Sequence, residues 1–282
     1  MIYELVNRNL FLFKYNKYNK NNIAYIIRDP LNRTLTGIDF GDFPSTKQFA
    51  EEIESKCNSK LKYLISTHSH YDHTDGNKDW KLYRGKSLQI IGGYSPDMKD
   101  TVPYADKLYK DNQIMRLSNN INIKMIYTPG HMKSSYCFYL NGKLFNNSML
   151  FTGDTLYVGS ISKVYNGTYK EYYDSLKRIK KIKDKKALIM CAHDFTYNNL
   201  KYCFFLDGNN EMLHKIAKRA YDNKKKNKLM IGISSLEEEI KYNPYLRCDD
   251  DYYKKYTNEK RGEKVLEMLR AIRNSFDTWN KV

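Results

Sequence analysis

Thr67-His68-Ser69-His70-Tyr71-Asp72-His73 packs four metal-capable side chains, His68, His70, Asp72 and His73, into one turn-sized loop. The stretch before it, Leu61-Lys62-Tyr63-Leu64-Ile65-Ser66, has the aliphatic and aromatic content of a short buried strand. The ligands therefore fall at the carboxyl end of a strand, where a loop carries chemistry on a rigid support. Neutral imidazole and carboxylate together suit zinc, iron or manganese. Three of the six histidines lie in this loop, a concentration that argues against chance placement on a polar segment.

Working outward, two further histidines end strand-like runs. Tyr127-Thr128-Pro129-Gly130-His131 sets His131 behind a Pro-Gly turn signal, and Ile189-Met190-Cys191-Ala192-His193 sets His193 at the end of an apolar strand. Between them, Leu150-Phe151-Thr152-Gly153-Asp154 ends an apolar run on Gly-Asp. Each signal alone is weak, because Gly-Asp and lone histidines are common in ordinary turns. Together they place five of six histidines and two aspartates at strand ends, and leave only His214, beside Lys215 and Lys218, as a surface residue. Seven ligands exceed what one tetrahedral ion takes and suit two. A carboxylate such as Asp154 can bridge two ions. Ions about 3.5–4 Å apart share a hydroxide and lower the pKa of water from about 15.7 toward 7, which is the chemistry of hydrolysis.

The 282 residues allow one large domain or two smaller ones. No run of about 18 apolar residues is present to suggest a membrane span. The start, Met1-Ile2-Tyr3-Glu4-Leu5-Val6, is strand-like and lacks the pattern of a signal peptide, so a cytoplasmic location is expected. Cys57, Cys137, Cys191, Cys203 and Cys248 are odd in number and form no C-x-x-C pair, which fits reduced, structural thiols. The net charge of +16 would suit an anionic partner, but the lysines are dispersed and no nucleic-acid-binding motif accompanies them. Solvated surface charge is the simplest reading, compatible with attraction of an anionic substrate.

Residues 15–22 are low in complexity and read as an exposed turn between two strands, with no chemistry assigned to them. Residues 23–27 and 34–40 read as strands, and 46–57 as a helix with Phe49, Ile53 and Cys57 spaced by four. Strands follow at 88–91, 121–127, 136–140, 148–152 and 187–191. Thr168 and Glu171 form a capping-box signature opening a helix with Tyr173, Leu176, Ile179 and Ile182 on one face. From about residue 198 helical signals dominate, at 212–226, 236–241 and 263–279. The expected class is α/β, with a first domain over 1–197 and a smaller, mostly helical one over 198–282.

The order of His68–His73, His131, Asp154 and His193 resembles the metallo-β-lactamase superfamily. Within it the chain is most similar to the glyoxalase II (hydroxyacylglutathione hydrolase) family, through Thr128-Pro129-Gly130-His131, Thr152-Gly153-Asp154-Thr155-Leu156, the run from His193 to Leu200, and Asn243-Pro244-Tyr245-Leu246-Arg247. With the helical carboxyl-terminal part, the likeness covers nearly the whole chain. The resemblance implies an αββα sandwich with the metals at one edge of two packed sheets. It implies that His68, His70 and His131 hold one ion, that Asp72, His73 and His193 hold the second, and that Asp154 bridges. The cofactors implied are two divalent ions, zinc with iron or manganese as alternatives.

The substrate implied is S-D-lactoylglutathione, a thioester attacked by a metal-bridging hydroxide to give D-lactate and glutathione, the second step of methylglyoxal detoxification. Asp72 would orient the hydroxide. By the same resemblance Lys163, Tyr165 and Arg273 would bind the glutathione moiety. Two family positions depart from the pattern: Phe195 stands where a tyrosine is expected and Phe276 where a lysine is expected. Each missing charged hydrogen bond would cost about 1.5–3 kcal/mol, and Arg270 is a candidate to compensate. Neither a nucleic-acid nor a membrane partner is expected, and the chain is read as a monomer. The rival readings are a persulfide dioxygenase of the same fold, with one iron on two histidines and an aspartate, and a metal-dependent nuclease suggested by the basic charge.

Overall fold

The computed structural model describes residues 4–18, 20–97, 100–142 and 144–279. Met1, Ile2 and Tyr3 of the strand-like start lie outside the described residues. Among the described residues, twelve strands lie in two sheets. The first contains β1 (Glu4–Asn7), β2 (Leu10–Tyr15), β3 (Asn22–Asp29), β4 (Thr34–Ile38), β5 (Lys60–Ile65), β6 (Gln89–Gly93) and β7 (Lys107–Tyr109), in that spatial order. The second contains β8 (Ile114–Arg116), β9 (Ile121–Tyr127), β10 (Tyr136–Gly142), β11 (Met149–Gly153) and β12 (Leu188–Cys191), ordered β12-β11-β10-β9-β8. Pairing is antiparallel from β1 to β4 and from β8 to β11, and parallel from β4 to β7 and between β11 and β12.

The helices are α1 (Phe43–Cys57), α2 (Tyr71–Thr74), α3 (Gly76–Arg84), α4 (Tyr169–Lys180), α5 (Thr196–Asp207), α6 (Glu211–Lys225), α7 (Leu236–Tyr242), α8 (Asp251–Thr257) and α9 (Gly262–Trp279). Successive strand residues point to opposite faces, and the core divides accordingly. Ile23, Tyr25 and Ile27 of β3 meet Ile121, Ile123 and Met125 of β9 and Phe138 and Leu140 of β10 in the cluster between the sheets. The alternate residues Ala24 and Ile26 turn outward onto Phe49, Ala50 and Ile53 of α1 and Trp80 of α3. On the far face of the second sheet, Ile126, Cys137 and Leu150 pack with Tyr172, Leu176 and Ile179 of α4 and Val265, Leu266 and Leu269 of α9. The result is an α/β sandwich of helix, sheet, sheet and helix. Helices α5, α7, α8 and α9 also contribute to that outer cluster, whereas Leu213, Ile216 and Ala220 of α6 join the cluster between the sheets.

Two sequence expectations are corrected. Helix α1 begins at Phe43, because the Asp42 carboxylate accepts from the Ser45 amide at 3.1 Å and Pro44 sits in the first turn. The capping box forms, with Thr168 Oγ1 accepting from the Glu171 amide at 3.1 Å and Glu171 from the Thr168 amide at 2.8 Å. The expected face holds, with Tyr173 and Ile182 packed half-buried against the cluster of Leu176 and Ile179; Tyr172 is buried there as well, and the Tyr173 hydroxyl reaches Asp249 at 2.7 Å. The segment over residues 15–22 is not a bystander: Lys20 of the turn and Asn22 at the start of β3 reach the metal-capable residues described below. Helices α3, α5 and α8 were missed, since α3 and α8 carry few apolar residues and α5 is apolar nearly all round.

All five cysteines are free thiols, and all but Cys57 are buried. Among the described residues no helix is long and apolar enough to cross a membrane.

Candidate metal centre

Four strand ends converge at one edge of the sandwich. β5 delivers the loop with His68 and His70 and the short helix α2, which carries Asp72 and His73. The turn between β9 and β10 delivers His131, β11 delivers Asp154, and β12 delivers His193. Two backbone bonds tie the sheets together there, from Ile23 N to the Ala192 carbonyl at 2.8 Å and from Tyr136 N to the Thr67 carbonyl at 2.9 Å. The structure brings all seven residues together. His68, His70, His131 and Asp154 offer ligand atoms within 4.8 Å of one another, and so do Asp72, His73 and His193.

Asp154 lies between the two groups. Its Oδ1 is 3.2 Å from His193 Nε2 and 3.5 Å from His73 Nε2, while Oδ2 is 3.5 Å from His131 Nε2. The Asp72 Oδ2 stands 3.4 Å from the Nε2 atoms of both His73 and His193. Gly153 makes this approach possible. Its φ is +50°, and a Cβ there would lie 2.6 Å from Thr67 Oγ1.

The outer nitrogens are held by oxygen acceptors. His131 Nδ1 lies 2.7 Å from the Lys163 carbonyl, and His193 Nδ1 lies 2.7 Å from the Lys20 carbonyl. His73 Nδ1 lies 3.1 Å from Asp39, whose carboxylate also accepts from the Thr67 amide and hydroxyl. A carbonyl oxygen can only accept, so the proton of His131 and His193 sits on Nδ1 and each Nε2 lone pair faces inward. This is the arrangement by which outer groups orient metal-binding imidazoles.

These residues fit a metal on three counts. His68 Nε2, His73 Nε2 and Asp154 Oδ1 are buried without a hydrogen-bond partner, a costly state unless another group satisfies them. His70 Nδ1 and His131 Nε2 face each other at 3.0 Å, close enough that either His70 donates a proton across the gap or one cation is shared between the two lone pairs. Protonation also suits ligation. Burial pushes His68, His70 and His131 below the ordinary imidazole range, His70 to about 4. Burial would raise both aspartates, yet His193 and His73 hold Asp154 well below the usual carboxylate range, and His73 does the same for Asp72. Only His73 moves the other way: burial disfavours its charge, but Asp39, Asp72 and Asp154 outweigh that and raise it.

The centre opens into a cavity of about 450 Å³ lined by His70, His131, Asp154 and His193, by Lys163 and Tyr165, and by Arg270 and Arg273 of α9. Lys163 and Tyr165 are exposed at its mouth. The Tyr165 ring meets His70 edge-on, with centroids 4.7 Å apart. Arg273 is buried, donating to Asp277 at 2.6 Å and to Asn199 at 3.1 Å. Arg270 is buried beside it, and its Nε has no partner. The two departures have visible consequences. Phe195 lines the cavity and stacks on His193, with centroids 5.1 Å apart. Phe276 turns instead into an aromatic cluster with Tyr202 and Phe205, at 5.4 and 5.3 Å.

Residues 34–193 match the model of the metallo-beta-lactamase superfamily, and residues 194–276 match that of the hydroxyacylglutathione hydrolase C-terminus. A relative named hydroxyacylglutathione hydrolase in Pelagibacter ubique is 36% identical over 228 residues, covering 81% of this chain and 89% of its own. The chain belongs to the hydroxyacylglutathione hydrolase family. An Arabidopsis thaliana relative, named as the cytoplasmic hydroxyacylglutathione hydrolase, is 32% identical over 268 residues, 92% of this chain and 96% of its own. Among solved structures, a Staphylococcus aureus metallo-beta-lactamase superposes with a TM-score of 0.63 at 19% identity, over 93% of this chain and 67% of that one, a likeness of fold.

Sequence reading missed Asp39, Lys20, Asn22, Ser162 and Tyr172 in this hydrolase. Ser162 Oγ lies 2.6 Å from His131 Nδ1. The Tyr172 hydroxyl lies 2.9 and 2.8 Å from the carbonyls of Asp154 and Thr155 and accepts from the Ser162 amide. The capping box at Thr168 was the only signal for Tyr172. Gly41 was also unmarked, although a Cβ on it would lie 1.9 Å from the Asp72 carbonyl oxygen and 2.9 Å from the His73 amide. Both contacts are backbone, so Gly41→Ala must displace the loop that carries Asp72 and His73. The expected result is a loss of about 1–3 kcal/mol of stability together with weakened metal uptake, read by thermal unfolding and by metal content after dialysis.

Proposed function

We propose that this protein hydrolyses S-D-lactoylglutathione to D-lactate and glutathione at a centre holding two divalent ions, zinc with iron or manganese as alternatives. The observation carrying this reading is that the cavity reaching both ligand groups also holds two buried arginines, Arg270 and Arg273, within the region matched to the hydroxyacylglutathione hydrolase C-terminus. His68, His70 and His131 would hold one ion and Asp72, His73 and His193 the other, with Asp154 shared. Bound there, the ions would supply Lewis acidity and a water that ionises near neutral pH.

The chain's own residues do the rest. Asp72, ionised and facing His73 and His193, orients the attacking water by accepting its hydrogen. Water oxygen bonds to the carbonyl carbon, the carbon–sulfur bond breaks, and the thiolate leaves to take up a proton. Glutathione carries two carboxylates, and buried guanidinium groups bind carboxylates well. Arg273 is the first anchor. Arg270 is the second, taking the role that Phe276 cannot fill from the aromatic cluster. Lys163 and Tyr165 grip the tripeptide backbone at the cavity mouth.

Residues 1–197 are read as the metal-bearing domain and 198–282 as the helical, substrate-binding one. The abutting model matches at residues 193 and 194 support this division. A monomer in the cytoplasm completes the reading, the location resting on the Arabidopsis relative's name.

The test is turnover of S-D-lactoylglutathione against a simple thioester lacking glutathione, with metal analysis of the same sample. Arg273→Met and Arg270→Met should each raise KM for the glutathione thioester about 10-fold or more. They should leave kcat within a factor of a few and the simple thioester unaffected. Equal turnover of both substrates by the native chain would reject the glutathione assignment.

A further inference from the structure

The two ligand groups are supported by different parts of the chain. His131 is held from the loop at Ser162 and Lys163, and His68 by the neighbouring Thr67 hydroxyl at 3.1 Å. In the other group His73 leans on Asp39. Asp72 and His193 are both held by one residue, Lys20. Its carbonyl accepts from His193 Nδ1 at 2.7 Å, and its ammonium donates to Asp72 Oδ1 at 3.1 Å. Nearby, Asn22 Nδ2 donates to Asp72 Oδ2 at 3.1 Å.

We propose that Lys20 is a positioning residue for the Asp72–His73–His193 group alone, so that the turn between β2 and β3 sets the affinity of one of the two metal positions. The inference rests on the two-metal reading above. Asp72 presents Oδ2 to the Nε2 atoms of His73 and His193, and the Lys20 ammonium grips the other oxygen. That grip removes the rotation by which the carboxylate would turn Oδ2 away. The opposing effect is repulsion between the ammonium and a divalent ion. Lys20 keeps 28% of its side chain in solvent, and its ammonium rests 4.9 Å from the centroid of the Tyr71 ring, so solvent screens the repulsion. Orientation therefore dominates, as it does for other groups that hold metal-binding side chains.

The experiment titrates zinc into the metal-free protein by calorimetry, for the native chain, Lys20→Met, Lys20→Arg and Lys20→Gln. The native chain should take two ions. Lys20→Met should leave one affinity unchanged and weaken the other about 10–100-fold. Lys20→Arg should restore it, and Lys20→Gln, which keeps a donor without the charge, should restore it in part. The melting temperature of the metal-free protein should not move, and kcat should fall while KM for the thioester stays. Native affinities at both positions in Lys20→Met, or equal weakening at both, would overturn the inference and leave the two-metal reading standing. A native chain that takes fewer than two ions would overturn both.

Discussion

Asp154→Ala should abolish turnover and strip the protein of metal while leaving the fold in place. The carboxylate stands between the two ligand groups, with Oδ1 toward His193 and His73 and Oδ2 toward His131. Its removal therefore takes a ligand from both metal positions at once, which no other residue of the seven does in this geometry. Metal chemistry is worth several kcal/mol to a hydrolytic step, and about 4 kcal/mol corresponds to about 10³-fold in rate. The expected loss in kcat/KM is about 10³-fold or more, with fewer than two ions retained after dialysis. Asp154→Asn separates shape from charge. The amide keeps one oxygen acceptor in place, so the two variants should share the loss of bridging but differ in how much of one ion they keep. Circular dichroism should show native secondary structure in both, because Asp154 lies after the end of β11 and outside the sheet ladders. Two ions bound and near-native turnover in Asp154→Ala would reject the bridging role.

The legibility of this centre follows from where its parts lie. Ligands at strand ends announce themselves, since an apolar run stopping at His131, Asp154 or His193 is visible in one dimension. The groups that aim those ligands are not. Asp39 sits in an unremarkable Ile38-Asp39-Phe40 stretch, and Lys20 is one lysine of a low-complexity turn, whose ammonium and carbonyl find Asp72 and His193 only in the folded chain. Gly41 matters because Asp72, thirty-one positions later, presses its carbonyl against it, a contact that only the folded chain creates. Helices show the same divide. α4 was legible through its capping box and its apolar spacing, but Tyr172 and Tyr173 are equivalent to a pattern read at a resolution of one residue. Packing of α4 against the turn before His131 makes Tyr172 the fully buried one, with Tyr173 half-buried beside it: a Cβ on Gly130 would fall 2.5 Å from the Tyr172 Cα. α5 has apolar residues nearly all round, so its period carried no direction.

Glu239→Leu should cost about 3–5 kcal/mol, one of the largest single losses of stability in the chain, whereas Glu239→Gln should cost under about 1 kcal/mol. Glu239 of α7 is wholly buried. Its Oε1 accepts from the hydroxyls of Ser234 and Tyr242, and its Oε2 accepts from the Gly159 amide at 3.0 Å and from Asn243 Nδ2 at 2.9 Å. Leucine would leave these donors buried and unpaired, each at a cost of about 1–3 kcal/mol that neighbours share rather than sum. Glutamine keeps an oxygen for the Gly159 amide and Asn243, and its amide nitrogen can donate to the two hydroxyls, which rotate to accept. The effect reaches the cavity, because Tyr157 and Ser160, on either side of the Gly159 turn, line it. Glu239→Leu should therefore also raise KM. The pH dependence distinguishes the carboxylate from its amide. Burial raises the Glu239 carboxyl above its ordinary value, even though the four donors oppose the rise. A folded-state pKa above the unfolded one means that this group's stabilisation is fully present below the unfolded pKa and is lost as pH rises through the folded one. Glu239→Gln removes that titration, so its stability relative to native should improve from pH 5 toward pH 8, measured by thermal unfolding across that range. A difference between Glu239→Gln and native that does not change with pH would show that Glu239 holds the same charge in the folded and unfolded chains.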